Sequence, residues 1–222
     1  MAKPEFTVII TAGGIGKRMG GDLPKQFLKL NDKPILLHTL ERFYHFDKKI
    51  QLILTLPNEW KTFWSELILE HECNIPHVIV DGGKERYHSI KNALAYSEGQ
   101  FIAVHDGVRP LVSNETIKRC FDAVQQFGQV IPVIPLKESL RQLNNEQTQA
   151  VPRSAYVHVQ TPQCFNKESI TKAYNLPFHN NITDDASLLE EAGFQIHCVP
   201  GNEENIKITT QIDMQFAQVL MK

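Results

Sequence analysis

Six residues near the amino terminus, Phe6-Thr7-Val8-Ile9-Ile10-Thr11, are all apolar or β-branched. A strand with no solvated face has to be covered on both sides, which places it inside a parallel sheet flanked by helices. The rest of the chain repeats the theme. The residue pattern predicts further strands at Gln51–Leu56, His77–Val80, Phe101–His105, Gln129–Ile134, Tyr156–Gln160, Phe194–Val199 and Ile206–Ile208. Helical spacing predicts helices over Pro34–Phe46, Trp60–Leu69, Ser89–Tyr96, Asn114–Phe127, Lys167–Tyr174, Asp184–Ala192 and Gln211–Met221. Strands and helices alternating through short connections define an α/β chain with a doubly wound, mainly parallel sheet. One stretch departs from the rhythm. Lys137–Pro152 is polar, with Asn144-Asn145 as a turn, and reads as a protruding β-hairpin arm. The 222 residues are therefore read as a single domain, 1–222, with 137–155 as its projecting arm.

Charge excludes some functions. Lys and Arg total 23 against 25 Asp and Glu, a formal charge of −2, and no basic run marks a nucleic-acid or membrane-surface partner. No apolar run approaches the ~20 residues of a membrane span, and Met1–Phe6 lacks the order of a secretory signal. The four cysteines are widely spaced with no C-x-x-C, which fits reduced thiols in the cytoplasm rather than zinc or redox chemistry. None of the nine histidines forms an H-x-x-x-H or H-E-x-x-H pair, and no G-x-S-x-G elbow is present, so no dedicated protein metal site or hydrolase nucleophile is expected.

The chemistry is expected at strand ends. Ala12-Gly13-Gly14-Ile15-Gly16-Lys17-Arg18-Met19-Gly20 follows the first strand directly, and Lys25 comes soon after. Ligands of α/β sheets sit beyond the carboxyl ends of strands, and glycines there let backbone N–H groups cradle phosphate oxygens. Two standard fingerprints fail. Met19 stands where the third glycine of G-x-G-x-x-G belongs, which argues against a dinucleotide-dependent oxidoreductase. Thr11 and Arg18 break the G-x-x-x-x-G-K-[ST] phosphate loop. Further along, Gly82-Gly83 lets a flat ligand approach, while Arg86 and Ser89 hold either the loop or the nucleotide. Asp106 accepts hydrogen bonds from substrate hydroxyls or helps organise a metal, and Arg109 can grip a phosphate. A structural Asp106–Arg109 pair closing the loop is the plainer alternative.

G-G-x-G-x-R-M-G followed by Pro24-Lys25-Gln26-Phe27 resembles the nucleotidyltransferases that join a nucleotide to a sugar phosphate. Five later segments narrow the resemblance to the 2-C-methyl-D-erythritol 4-phosphate cytidylyltransferase family. They are Asp81-Gly82-Gly83-Lys84-Glu85-Arg86 with Ser89, His105-Asp106-Gly107-Val108-Arg109-Pro110, Gln160-Thr161-Pro162-Gln163, Ile182-Thr183-Asp184-Asp185-Ala186-Ser187 and Asn205-Ile206-Lys207-Ile208-Thr209. They occur in order over nearly the whole chain. Gly107-Val108 stands where the family often has two alanines, and Ser139 where a threonine is commonest.

The resemblance implies a Rossmann-like nucleotidyltransferase fold and cytidylyl transfer from CTP to a sugar-alcohol phosphate. It implies Arg18, Lys25 and Lys207 as the catalytic cations. Nucleotide contacts would come from Ala12, Gly13, Gly14, Gly16, Lys25, Gly83, Ser89, Asp106 and Gly107. Acceptor contacts would come from Asp106, Arg109, Ser139, Arg153, Thr161, Thr183 and Lys207. Ser139 and Arg153 would act across a homodimer interface made by the arm, and Mg2+ would be held mainly by the CTP phosphates. The nearest rival is a ribitol 5-phosphate cytidylyltransferase.

Overall fold

A computed structural model describes residues 3–14 and 23–221. An eight-stranded sheet forms the centre. Its strands are β1 (Phe6–Thr11), β4 (Gln51–Leu56), β5 (Val78–Asp81), β6 (Phe101–Asp106), β7 (Gln129–Pro135), β10 (Val157–Val159), β11 (Gln163–Asn166) and β12 (His197–Pro200). β1 pairs in parallel with β4 and β6, β4 with β5, and β12 with β7. β10 and β11 run the other way, β11 lying antiparallel between β6 and β7. Two small hairpins complete the strands: β2 (Lys29–Leu30) with β3 (Lys33–Pro34), and β8 (Leu140–Asn144) with β9 (Gln147–Val151).

Among the described residues there are seven α-helices: α1 (Ile35–Phe46), α2 (Lys61–Glu70), α3 (Arg86–Leu94), α4 (Asn114–Phe127), α5 (Lys167–Ala173), α6 (Asp185–Glu191) and α7 (Gln211–Leu220). Side chains alternate across a strand, and the two faces sort accordingly. Val8 and Ile10 of β1 pack with Leu36, Leu40 and Phe43 of α1, Trp64 of α2 and Phe121 of α4. Ile9 faces the opposite layer, with Ile90 of α3, Ile170 of α5 and Leu188 and Leu189 of α6. A third cluster under α7 joins Leu30, Ile35, Val108, Leu111, Ile208 and Ala217. Each fully buried aliphatic side chain contributes roughly 1.5–3 kcal/mol, so these layers hold the strand ends in register.

The helix termini follow their sequences. Ser113 caps α4 by accepting from the Thr116 N–H at 3.1 Å, and Gly128, at φ 80°, closes it with an N–H to the Val124 carbonyl. Asp184 and Ser187 form a reciprocal capping box at α6, as do Thr210 and Asp213 at α7.

Most predicted elements are present, with four differences, one being that β12 begins at His197, three residues after the predicted start at Phe194. Ile206–Ile208 is not a strand; a single bond from the Ile208 N–H to the Val108 carbonyl, 3.0 Å, pins it to the loop after β6. Conversely, Gln163–Asn166 is a strand where the residue pattern predicts no element. Helix α3 begins at Arg86, three residues ahead of the apolar run that suggested it. The arm is the expected hairpin, with Asn145 in the left-handed region (φ 54°) at its turn.

Candidate active site

The carboxyl ends of β1, β5 and β6 open into one cleft of about 270 Å3. Thr11, Ala12, Gly13, Gly14, Lys25, Gln26, Gly83, Lys84, Glu85, Arg86, Ser89, Asp106, Val108 and Lys207 line it. Backbone bonds clamp the strand ends together: Ala12 N–H to the Thr55 carbonyl, Gly82 N–H to that of Leu56, and Gly107 N–H to that of Thr11. The Gln26 side-chain amide, buried, donates to the Ala12 carbonyl at 2.7 Å and fixes where the glycine loop departs. A Cβ on Gly13 would stand 3.7 Å from Ser89 Oγ, and one on Gly14 would stand 3.9 Å from Lys25 Cε. Three segments distant in sequence thus face one another across the cleft.

Ser89 and Gly83 shape one wall. The Gly83 N–H donates to Ser89 Oγ at 2.9 Å, and the Ser89 hydroxyl donates to the Glu85 carbonyl at 3.3 Å. A Cβ at Gly83 would meet that of His88 at 2.3 Å. Only glycine lets this turn lie flat on α3.

Asp106 forms the floor. Its carboxylate, 9% exposed, accepts from Arg109 Nε at 3.0 Å, pairs with Lys207 Nζ at 3.1 Å and lies 3.9 Å from Arg86 Nε. Burial opposes its ionisation, but Lys207, Arg86 and Arg109 together overcome that and hold the carboxyl well below the usual range. Arg86 is in turn gripped in a fork by the fully buried Asp185, at 2.8 and 2.6 Å. Burial opposes the guanidinium charge, yet Asp185 and Asp106 raise its pKa further. Behind the floor, buried His105 is depressed to about 4 by burial and is neutral.

The expected site residues separate into five groups. Ala12, Gly13, Gly14, Lys25, Gly83, Ser89, Asp106 and Lys207 lie on the cleft, and Arg109 joins them through Asp106. Arg18 and Gly16 lie outside the described residues. Gly107 and Thr161 sit behind the floor. A Cβ on Gly107 would meet Leu36 Cδ1 and the Thr11 carbonyl, both at 2.9 Å, so packing alone demands glycine there. Thr161 Oγ1 accepts from the Asp106 N–H at 3.1 Å. Thr183 stands apart on a second hollow of about 200 Å3, which shares Glu85 and Arg86 with the cleft. Ser139 and Arg153 are exposed at the arm, where the Arg153 guanidinium donates to the Lys137 carbonyl.

Sequence reasoning gave no site role to Gln26, Lys84, Glu85 or Val108, and left Arg86 undecided between loop and ligand. The run Gly82-Gly83-Lys84-Glu85-Arg86 placed three charged residues beside a glycine turn, which was the available signal. Nothing local marks Asp185 as the partner of Arg86, 99 residues away. Among the described residues, no group of three or more His, Cys, Asp or Glu gathers as a metal site. Among them, too, no helix is long and apolar enough to cross a membrane.

A parallel α/β sheet whose strand ends carry a glycine turn, cations and one triply paired carboxylate defines a nucleotidyltransferase-like, phosphate-handling protein. The particular family follows from comparison. The chain belongs to the 2-C-methyl-D-erythritol 4-phosphate cytidylyltransferase family, whose sequence profile matches residues 6–222. It is 47% identical to the cytidylyltransferase of that name from Bacteroides thetaiotaomicron, over 97% of this chain and 99% of the relative. It is 34% identical to that of Bacillus cereus, over 98% of each. Among solved structures, the 4-diphosphocytidyl-2C-methyl-D-erythritol synthase of Anaerococcus prevotii superposes with a TM-score of 0.84 at 26% identity, covering 97% of this chain and 95% of the other.

Proposed function

We propose that this cleft transfers the cytidylyl group of CTP to 2-C-methyl-D-erythritol 4-phosphate, a step in isoprenoid precursor synthesis. The observation that carries the reading is the floor: one carboxylate fixed by Arg109, Lys207 and Arg86, facing a glycine turn and Lys25. A phosphate oxygen of the acceptor attacks the α-phosphorus of CTP in line. The new P–O bond forms as the bond to the β-phosphate oxygen breaks, and pyrophosphate leaves with the electron pair. The attacking phosphate is already anionic, so no strong general base is needed. Catalysis then rests on positioning and on charge stabilisation.

Lys25 and Arg18 serve the crowded α-phosphate and the departing pyrophosphate. Lys207, paired with Asp106 and 43% exposed, is the cation that neutralises the incoming acceptor phosphate. Ser89 and Gly83 border the base. Among the described residues two carboxylates line the cleft, Glu85 and Asp106, and Asp106 is already shared by three cations. That donor set suits a Mg2+ ion ligated mainly by the CTP phosphates, with few protein ligands. When bound, the ion neutralises triphosphate charge.

The protein works as a cytoplasmic homodimer in this reading, with Ser139 and Arg153 of the arm completing the partner's acceptor site. Leu143, Tyr156, Val157 and Val159 are large exposed apolar residues on or beside the arm, which supports an interface there. Incubation with CTP, Mg2+ and methylerythritol phosphate, followed by 31P NMR, should reveal a cytidine diphosphate-linked product. Folded protein that leaves CTP intact in that mixture would overturn the assignment.

A further inference from the structure

We propose that His105 is a positioning residue, held as the neutral tautomer protonated on Nε2, that closes a hydrogen-bond circuit fixing Asp106 and Arg109 for the acceptor. The bonds dictate the direction. His105 Nε2 lies 3.0 Å from the Arg109 carbonyl, which can only accept, so Nε2 carries the proton. In neutral imidazole Nδ1 is then an acceptor, and Thr161 Oγ1, 3.1 Å away, donates to it. The same Thr161 oxygen accepts from the Asp106 N–H at 3.1 Å. Arg109 Nε donates to Asp106 Oδ2 at 3.0 Å and closes the ring.

Each member therefore donates to the next: Asp106 to Thr161, Thr161 to His105, His105 to Arg109, and Arg109 back to Asp106. The Thr161 hydroxyl and the His105 imidazole each accept one bond and donate the next, so the bonds through them polarise one another. The imidazole is fully buried and packs edge-on against Phe43, ring centroids 4.8 Å apart, so it cannot swing away. Arg109 Nη1 is separately anchored to the Asn205 carbonyl at 2.7 Å. A second proton, on Nδ1, would force the Thr161 bond to reverse, turning the hydroxyl from donor to acceptor, and would add a cation beside Arg109 and Lys207. Of the ring's members Asp106 alone lines the cleft, so His105 acts through Asp106 and its partner Arg109 and touches no substrate.

The kinetic part rests on the function proposed above; the tautomer part does not. On the unmodified protein, 15N NMR of the imidazole should show a protonated Nε2 and a bare Nδ1 for His105 at neutral pH. The opposite tautomer, or the imidazolium, would overturn the proposal even if the enzyme is fully active. In kinetics, His105→Phe should raise the KM for methylerythritol phosphate roughly 10- to 100-fold while the KM for CTP stays within about 2-fold. His105→Gln, which restores a donor toward the Arg109 carbonyl, should recover much of the loss. Equal effects on both KM values, or no recovery with Gln, would contradict the positioning role. Wild-type protein inactive on the acceptor would sink the function alone.

Discussion

At Asp106 three cations meet one buried carboxylate, so the floor of the cleft is charged and ordered before a substrate arrives. Lys207 is the most exposed of the three and the best placed to exchange its carboxylate partner for a phosphate. Lys207→Ala should cut kcat/KM for the acceptor by about 100-fold or more, the loss typical of a missing transition-state donor. Steady-state kinetics with the acceptor varied checks this. Lys25→Ala should reduce turnover by a similar factor while the melting temperature stays put, because a partly exposed loop lysine contributes little to folding. Near-normal turnover in that variant would remove Lys25 from the mechanism. Arg109 should not tolerate lysine, since its guanidinium serves Asp106 and the Asn205 carbonyl at once.

At the scale of elements, β6 carries a titratable group into the core. His105 stays neutral in the folded protein down to about pH 4, whereas in the unfolded chain it takes up a proton near its ordinary value of 6.5. Between those values the unfolded state binds more protons. This contribution to stability is therefore complete above pH 6.5 and is lost as pH falls toward 4, by up to about 3 kcal/mol. Urea unfolding from pH 4.5 to 7 should show the slope, and His105→Gln should flatten it. Helix α4 offers a second check: Ser113→Ala removes the cap and should cost about 1 kcal/mol, or ~2–4 °C in melting temperature.

The elements also show where sequence reading succeeds and where it stops. β1, β4 and α4 have the expected bounds because their apolar runs end abruptly at Ala12, Pro57 and Gly128. β11 is four residues long with polar residues at both ends, too short and too mixed to show a strand pattern. In the fold, the Gln163 amide is consumed by Asp184 Oδ2 and the Ala186 N–H, so a polar residue can sit in the sheet centre. The site follows the same division. The glycine turn and Asp106 could be placed because they stand at the ends of β1 and β6, whereas Lys25 and Lys207 came from the family resemblance. The Asp185 fork on Arg86 and the ring behind Asp106 join residues 99 and 55 positions apart, which no local pattern records.

For the whole molecule, the account requires a second copy. The arm spends its length in solvent, with Leu143 74% exposed, and it carries Ser139 and Arg153, which do not line the cleft of their own chain. Sedimentation should give twice 25.3 kDa, and removing residues 138–152 should yield monomers with greatly weakened acceptor use. Monomeric intact protein with full activity would contradict the shared site. Pyrophosphate release reports the cytidylyl transfer itself. Purified protein with CTP and Mg2+ should release pyrophosphate with 2-C-methyl-D-erythritol 4-phosphate and far less with ribitol 5-phosphate. Release with ribitol 5-phosphate alone, or with neither acceptor from folded protein, would contradict the account.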